Sequence, residues 1–177
     1  ENKGSMHLIA PTFPRNTERP HVSEDGNWFV YEETDANGIQ QIYVRNRLAE
    51  TGAPVPQSIL VSRSFENRFL GANGNSLRPK ISADGSTVVF HSRASDLVPS
   101  DENGVEDIFV YSVFDDKIFR LRDFSSGGEA NGGSSYADLN RDGTVIVFES
   151  KATNIHTTGV NSIGGRQIYL WDRSVGS

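Results

Sequence analysis

Short apolar runs separated by Asp-Gly pairs and polar loops dominate the pattern of hydrophobic and polar positions along the chain. A run such as Thr87–Phe90 is β-branched and aromatic, which favours a strand, and its continuous apolar character indicates burial on both faces. An Asp-Gly pair before such a run favours a hairpin, because glycine accepts positive φ and aspartate tolerates it. No segment keeps a helical period, so we predict an all-β chain.

The Asp-Gly unit recurs three times. The pairs begin at Asp25, Asp84 and Asp142, at spacings of 84 − 25 = 59 and 142 − 84 = 58 residues. After each pair we predict a second and a third strand, and in two copies a fourth. The predicted third strands are Gln41–Val44, Asp107–Tyr111 and Gln167–Trp171, and the fourth strands are Ser58–Val61 and Lys117–Leu121. Four short antiparallel strands in a repeat of roughly 40–60 residues are typical of a β-propeller blade.

The second copy carries a family resemblance. Its sequence over residues 78–112, RPKISADGSTVVFHSRASDLVPSDENGVEDIFVYS, resembles the TolB-like, WD40-like repeat. The similarity lies in the Pro-x-Ile-Ser-x-Asp-Gly core, the Ala-Ser-Asp-Leu segment and the Asp-x-Asn-Gly-x-x-Asp-Ile-Phe-Val segment. It covers nearly the whole chain through the three copies. The resemblance implies a β-propeller and says little about function, because propellers host unrelated activities.

The repeat boundaries divide the chain into a tail and three blades. We predict a tail with a closing strand at 1–13, blade 1 at 14–66, blade 2 at 67–124 and blade 3 at 125–177, the last without a fourth strand. Met6–Ala10 reads as a fourth strand with no blade of its own, and the resemblance implies that such a strand completes a last blade. Because known rings have four to eight blades, we predict a six-bladed ring made by a homodimer that exchanges this strand. A fragment of a longer chain and a larger ring are the alternatives.

Composition narrows the function classes. The net charge of −6 without a basic cluster argues against non-specific nucleic-acid binding. No apolar run approaches the ~20 residues of a membrane span, and the absence of cysteine argues against disulfides and thiolate zinc sites. We therefore expect a non-enzymatic binding or scaffolding propeller, periplasmic or extracellular, with a protein or small ligand at the channel mouth. The alternative is a propeller hydrolase or lyase, or the propeller part of a larger peptidase.

One loop has the beginning of a calcium-binding pattern. Asp101, Asn103 and Asp107 alternate around a glycine, and calcium prefers clustered carboxylate and amide oxygens. These three residues are our candidate calcium ligands, and calcium is the one cofactor that we predict. The terminal bidentate glutamate of a full calcium loop is absent. The alternative is an Asx-turn, in which the side chains bond their own backbone.

Three equivalent positions are candidate ligand contacts. Arg19 and Arg78 each stand directly before a proline, and Tyr136 takes the same place in the third copy. We predict that these side chains face the central channel and contact a ligand there. The alternative is that the arginines are solvated or ion-paired.

Overall fold

The computed structural model describes residues 16–48, 58–121, 129–155 and 165–174. This part of the chain forms eleven strands in three antiparallel sheets, each with its strands in chain order. Sheet 1 comprises β1 (Thr17–Val22), β2 (Trp28–Thr34), β3 (Gln40–Asn46) and β4 (Ile59–Leu60). Sheet 2 comprises β5 (Ser76–Ile81), β6 (Thr87–Ser92), β7 (Asp107–Ser112) and β8 (Lys117–Arg120). Sheet 3 comprises β9 (Ser134–Leu139), β10 (Val145–Ser150) and β11 (Gln167–Asp172). The all-β prediction is confirmed, and the predicted closing strand Met6–Ala10 lies outside the described residues.

The Asp-Gly pairs form the tight turns that the sequence predicts between the first and second strands. Gly26, Gly85 and Gly143 have φ of 67°, 75° and 69°, the left-handed region that glycine adopts without steric cost. In the first turn Asp25 Oδ1 accepts the Ser23 hydroxyl at 2.6 Å and the Asn27 N–H at 2.9 Å. The hydrogen bond from Ser23 is the largest cause that lowers the pKa of Asp25. These aspartates are therefore turn residues.

Sheet 2 is buried on both faces. Along β6, Val88 and Phe90 pack into a core shared with sheet 1, whereas Val89 packs into a second core shared with sheet 3. The alternation follows from the two-residue period of a strand, which sends neighbouring side chains to opposite faces. The continuous apolar run that predicts a two-sided strand is thus explained by a sheet on either side.

The face of sheet 3 directed away from sheet 2 is exposed. We call Val147, Ile168 and Leu170 the outer stripe; these side chains are 39%, 72% and 64% exposed. Strand pairing gives them the same places that Val89, Ile108 and Val110 hold in sheet 2, where all three are buried. The outer stripe is therefore a packing surface without a following sheet among the described residues.

Neighbouring sheets contact each other at equivalent turn positions in the three repeats. Glu24 N–H donates to the Ala83 carbonyl at 2.9 Å, and Ala83 N–H donates to the Arg141 carbonyl at 2.8 Å. The turn glycines pack against the preceding sheet: a Cβ on Gly85 would overlap the Trp28 side chain, and one on Gly143 would lie 2.6 Å from Thr87 Cβ. The first strands β1, β5 and β9 also contact one another in order across the sheets. They form the line along which the candidate ligand residues lie.

Candidate functional site

Each first strand contains a bulge, and the residue at the bulge is one of the predicted ligand residues. Arg19, Arg78 and Tyr136 have φ of 49°, 54° and 57°. The register of each first strand against its partner shifts at this place. A bulge inserts an extra residue into one strand and re-aims its side chain. The three equivalent positions thus share one backbone conformation, which non-glycine residues adopt at a cost of about 1–3 kcal/mol.

The bulges bring their side chains together. The Arg78 guanidinium lies over the Tyr136 ring, 4.5 Å from its centroid, and that of Arg166 lies 5.9 Å from the same centroid. Arg19 is linked to Arg78 through Glu32. The Glu32 carboxylate accepts a hydrogen bond from Arg19 Nη1 at 2.7 Å and another from the Arg78 backbone N–H at 2.6 Å. We call Arg19, Arg78, Tyr136 and Arg166 the bulge cluster. Tyr136 is half-exposed and Arg78 is exposed, so the cluster is open to solvent.

A second layer of side chains holds the bulges from below. Buried Glu32 on β2 accepts the bulge N–H of Arg78, and His91, at the same place on β6, accepts that of Tyr136 through Nδ1 at 3.4 Å. Burial is the largest cause of the lowered pKa of His91; Glu106 opposes the shift, and the charges of Arg78 and Arg19 add to it. A neutral His91 keeps the Nδ1 lone pair that the Tyr136 N–H requires. The second layer therefore fixes the backbone beneath the cluster.

The loop between β6 and β7 gathers the candidate calcium ligands around an arginine. Arg120 Nη1 lies 2.7 Å from Asp101 Oδ1 and 3.2 Å from Asp107 Oδ2. Its Nη2 lies 2.6 Å from Glu129 Oε1 and donates to the Ser100 carbonyl at 3.1 Å. We call Asp101, Asp107, Arg120 and Glu129 the ion cluster. One buried guanidinium therefore contacts three carboxylates.

Ionisation in the ion cluster follows from burial and pairing. Burial raises the pKa of Asp107, although the hydrogen bond from Asn103 and the charge of Arg120 oppose the shift. Burial alone would lower the pKa of Arg120, but the hydrogen bond to Glu129 and the charges of Asp101 and Asp107 raise it. Arg120 is thus a cation paired with two of the three candidate calcium ligands, Asp101 and Asp107.

The structure brings together both sets of predicted site residues. Asn103 joins the ion cluster, because its Nδ2 donates to Asp107 Oδ2 at 3.0 Å. Its Oδ1 accepts the Val105 N–H at 3.1 Å, the Asx-turn bond of the alternative interpretation. Among the described residues, no group of three or more His, Cys, Asp or Glu side chains is arranged to hold a metal ion. Calcium binding stays a prediction, as does ligand binding at the bulge cluster.

Sequence reasoning missed the partners of these residues. Arg120 lies thirteen positions after Asp107, in a strand recognised only by its apolar neighbours, and its pairing with Phe109 places it at the loop. Arg166 precedes the third strand of its sheet, and nothing in its local sequence points to Tyr136. Glu32 directly follows the apolar run Trp28–Tyr31, and nothing in that local sequence points to its contact with Arg78. Within the described ranges there is no helix with the length and apolar character that a membrane span requires.

Comparison with known proteins identifies the fold. No family model and no curated protein matches the sequence. The TolB-type protein of Agrobacterium tumefaciens superposes with a TM-score of 0.55 at 17% identity, over 96% of this chain and 50% of that chain. TolB from Acinetobacter baumannii gives a TM-score of 0.52 at 21% identity, over 92% of this chain and 31% of that one.

A propeller from a peptidase is similar to the same degree. The β-propeller domain of the Trilobed protease from Pyrococcus furiosus, described as having an open velcro topology, gives a TM-score of 0.52 at 14% identity. The match covers 90% of this chain and 40% of that domain chain. This chain thus spans half or less of the length of the structures it matches. These likenesses show the fold, which is a β-propeller like that of the TolB structures.

Proposed function

We propose that this chain is a binding propeller, non-enzymatic, whose protein or small-molecule partner contacts the bulge cluster. The observation that supports this is the left-handed backbone at Arg19, Arg78 and Tyr136. Glycine would adopt that conformation without strain, yet each position has a large side chain. Strained residues concentrate at functional sites, where the surrounding structure holds them in place.

The contacts of the side chains separate a structural role from a binding role. Arg19 pairs with buried Glu32 at 2.7 Å, so its side chain also supports the fold. The Arg78 guanidinium lies over the Tyr136 ring, and both residues are exposed at the surface. An exposed aromatic ring beside an exposed arginine is typical of interaction sites, where tyrosine and arginine are enriched. These two residues are therefore the centre of the proposed site.

The described histidines favour binding over hydrolysis. A hydrolytic triad needs a histidine nitrogen in contact with a nucleophile. Instead, Nδ1 of His21 accepts the Ile81 N–H at 3.2 Å, and Nδ1 of His91 accepts the Tyr136 N–H. A neutral imidazole that accepts through Nδ1 has its proton on Nε2, so Nε2 is a donor there and not a base. The peptidases among the similar structures are larger chains, such as the tricorn protease, of which this chain covers 12%.

A periplasmic or extracellular location is part of our proposal.

A selection of peptides tests the binding proposal. A displayed random-peptide library is panned on the wild-type protein, on Tyr136→Gly and on Arg141→Ala. The glycine variant removes the ring while keeping the left-handed backbone unstrained. Arg141, whose side chain is 80% exposed, lies in a turn beyond the far end of β9 and is the matched control. We expect to select peptides that bind the wild type and Arg141→Ala but do not bind Tyr136→Gly. Equal enrichment on Tyr136→Gly contradicts the proposed site, and failure to enrich any peptide contradicts the protein partner and favours the small-molecule one.

We also propose that two copies form a six-bladed ring, with Met6–Ala10 exchanged to pair beside β11. The outer stripe supports this, because the same positions in sheets 1 and 2 are buried by the sheet that follows. Exposed apolar side chains grouped on one sheet face favour association. Sedimentation equilibrium of the wild type, Leu170→Asp and Phe69→Asp tests it; Phe69 is an exposed apolar residue of a loop outside sheet 3. We expect only Leu170→Asp to weaken the dimer. A wild-type monomer at micromolar concentration contradicts the ring and favours the fragment alternative.

A further inference from the structure

The charges of the bulge cluster are unequally compensated. Arg19 lies 2.7 Å from a Glu32 carboxylate oxygen, and Arg166 lies 2.7 Å from one of Glu149. No carboxylate of the described residues lies within 4 Å of the Arg78 guanidinium. Two arginines are thus neutralised by nearby carboxylates, and the third, Arg78, adds one positive charge at the surface of an acidic protein.

The stacking of Arg78 determines which of its atoms remain available. The central carbon of the guanidinium lies over the Tyr136 ring, 4.5 Å from its centroid, which is the distance of a cation–π contact. Cation–π contact uses the face of a guanidinium and leaves the N–H groups in its plane. Those N–H groups form a fork that matches the two oxygens of a carboxylate. Tyr136 therefore holds the fork in place without using its donors.

The surroundings favour an anion of single charge. The carboxylates paired within the cluster are those of Glu32 and Glu149, and each is already paired with its own arginine. A phosphate monoester has a charge of about −1.5 to −2 at neutral pH and would be repelled by both glutamates. A carboxylate has one negative charge and matches the single uncompensated cation.

We propose that the bulge cluster binds a carboxylate side chain of an acidic peptide segment, with Arg78 as the bidentate donor and Tyr136 as its support. The proposal rests on the proposed binding function and names the chemistry of its ligand. The peptide adds apolar contact with the exposed half of the Tyr136 ring, which a free carboxylate lacks. Arg166, whose guanidinium carbon lies 5.9 Å from the centroid of the same ring, also borders the site.

Calorimetric titration of the whole chain tests this ligand class with three probes. These are a capped decapeptide of alternating Glu and Ser, the same peptide with Gln for Glu, and glutarate. A hydrogen bond to a charged group is worth about 1.5–3 kcal/mol, which corresponds to about ten- to hundredfold in affinity. We expect the Glu peptide to bind at least about tenfold more tightly than the Gln peptide and than glutarate. Equal binding of the two peptides overturns the proposal, and equal binding of glutarate overturns its peptide part.

Variants assign the effect to Arg78. Arg78→Gly keeps the left-handed backbone and removes the fork, so we expect its affinity for the Glu peptide to fall to that of the Gln peptide. Arg78→Lys keeps the charge without the planar fork and should lose part of the affinity. Arg141→Ala should bind as the wild type does. Undiminished binding of the Glu peptide by Arg78→Gly overturns the proposal. If library peptides need Tyr136 but contain no acidic residue, the carboxylate assignment fails while the binding function stands.

Discussion

Sheets 2 and 3 place similar residues in different environments. Val89, Ile108 and Val110 of sheet 2 are buried, whereas the equivalent Val147, Ile168 and Leu170 of sheet 3 are 39%, 72% and 64% exposed. Both sets are aliphatic, and in both the neighbouring residues along the strand point to the opposite face of the sheet. The difference arises from the sheet that follows: sheet 3 packs on sheet 2, and no described sheet packs on sheet 3. Burial in this architecture is therefore a property of the neighbour as much as of the strand.

The first residues of the third strands in sheets 2 and 3 also differ in burial. Asp107 begins β7 and is buried against Arg120 of β8. Gln167, the first residue of β11, is exposed, and the described part of sheet 3 has no fourth strand to supply an equivalent arginine. A fourth strand thus both protects the edge of sheet 2 and supplies the cation of the ion cluster. The comparison yields four predictions, given from the largest expected effect to the smallest.

The first prediction concerns the ion cluster of sheet 2. Arg120→Ala leaves Asp101, Asp107 and Glu129 close together without their shared cation, and breaking a buried ion pair costs about 3–5 kcal/mol. We expect a loss of this size in the free energy of unfolding, measured by urea denaturation. Lys117→Ala, an exposed residue on the same strand, is the control and should change stability by less than about 0.5 kcal/mol. A similar small effect for Arg120→Ala would show that the cluster contributes little.

The second prediction compares the two stripes directly. Ile108→Ala removes a buried side chain and should lower the free energy of unfolding by about 2–5 kcal/mol. Ile168→Ala truncates an exposed one and should change it by less than about 0.5 kcal/mol. Both are measured by urea denaturation at a protein concentration where the chain is monomeric. Equal losses would mean that the outer stripe is covered in the isolated chain.

The third prediction sharpens the role of the loop at 101–107. If calcium binds there, a calcium concentration ten times the dissociation constant should raise the free energy of unfolding of the wild type by about 1.4 kcal/mol. The reason is that the ion binds the native state alone. Asp107→Asn should abolish the rise in thermal midpoint, and magnesium serves as a control for ionic strength. A wild-type midpoint that is indifferent to millimolar calcium leaves the Arg120 ion pairs and the Asx-turn as the role of this loop.

The fourth prediction concerns pH. The folded-state pKa of His91 lies below the ordinary 6.5, mainly because of burial, so the unfolded chain binds its proton more readily. The contribution of neutral His91 to the free energy of unfolding is present above pH 6.5 and is lost as the pH falls toward the lowered folded-state pKa. His21, whose pKa is also lowered mainly by burial, acts in the same direction.

The measurement is the urea midpoint of the wild type and His91→Asn between pH 7.5 and pH 5. Asparagine offers a neutral acceptor near the place of Nδ1, so the variant should lose less stability on acidification than the wild type. Glu106, Arg78 and Arg19 are the charged groups that affect His91, and they are unchanged in the variant. Parallel curves for the two proteins would contradict a role for His91 in the acid dependence.

Local patterns predicted the strands well. The spacing of the Asp-Gly pairs located the turns, and the third strands predicted at Gln41–Val44, Asp107–Tyr111 and Gln167–Trp171 lie within β3, β7 and β11. Turn chemistry acts over a few residues, so a sequence reveals it. The partners of the site residues were not predictable in this way, because Arg78 meets Tyr136 across 58 positions and Asp107 meets Arg120 through a strand pairing.

The sequence by itself determined the repeat, the all-β class and the positions of the turns, because glycine's freedom at positive φ and the two-residue period of strands are local properties. Only the tertiary structure decided that Arg19, Arg78 and Tyr136 occupy left-handed bulges and that two of them stack. It also decided that one guanidinium lies among the carboxylates around the candidate calcium loop. These outcomes depend on strand register and on the packing of one sheet against the next, which bring distant residues within a few ångströms.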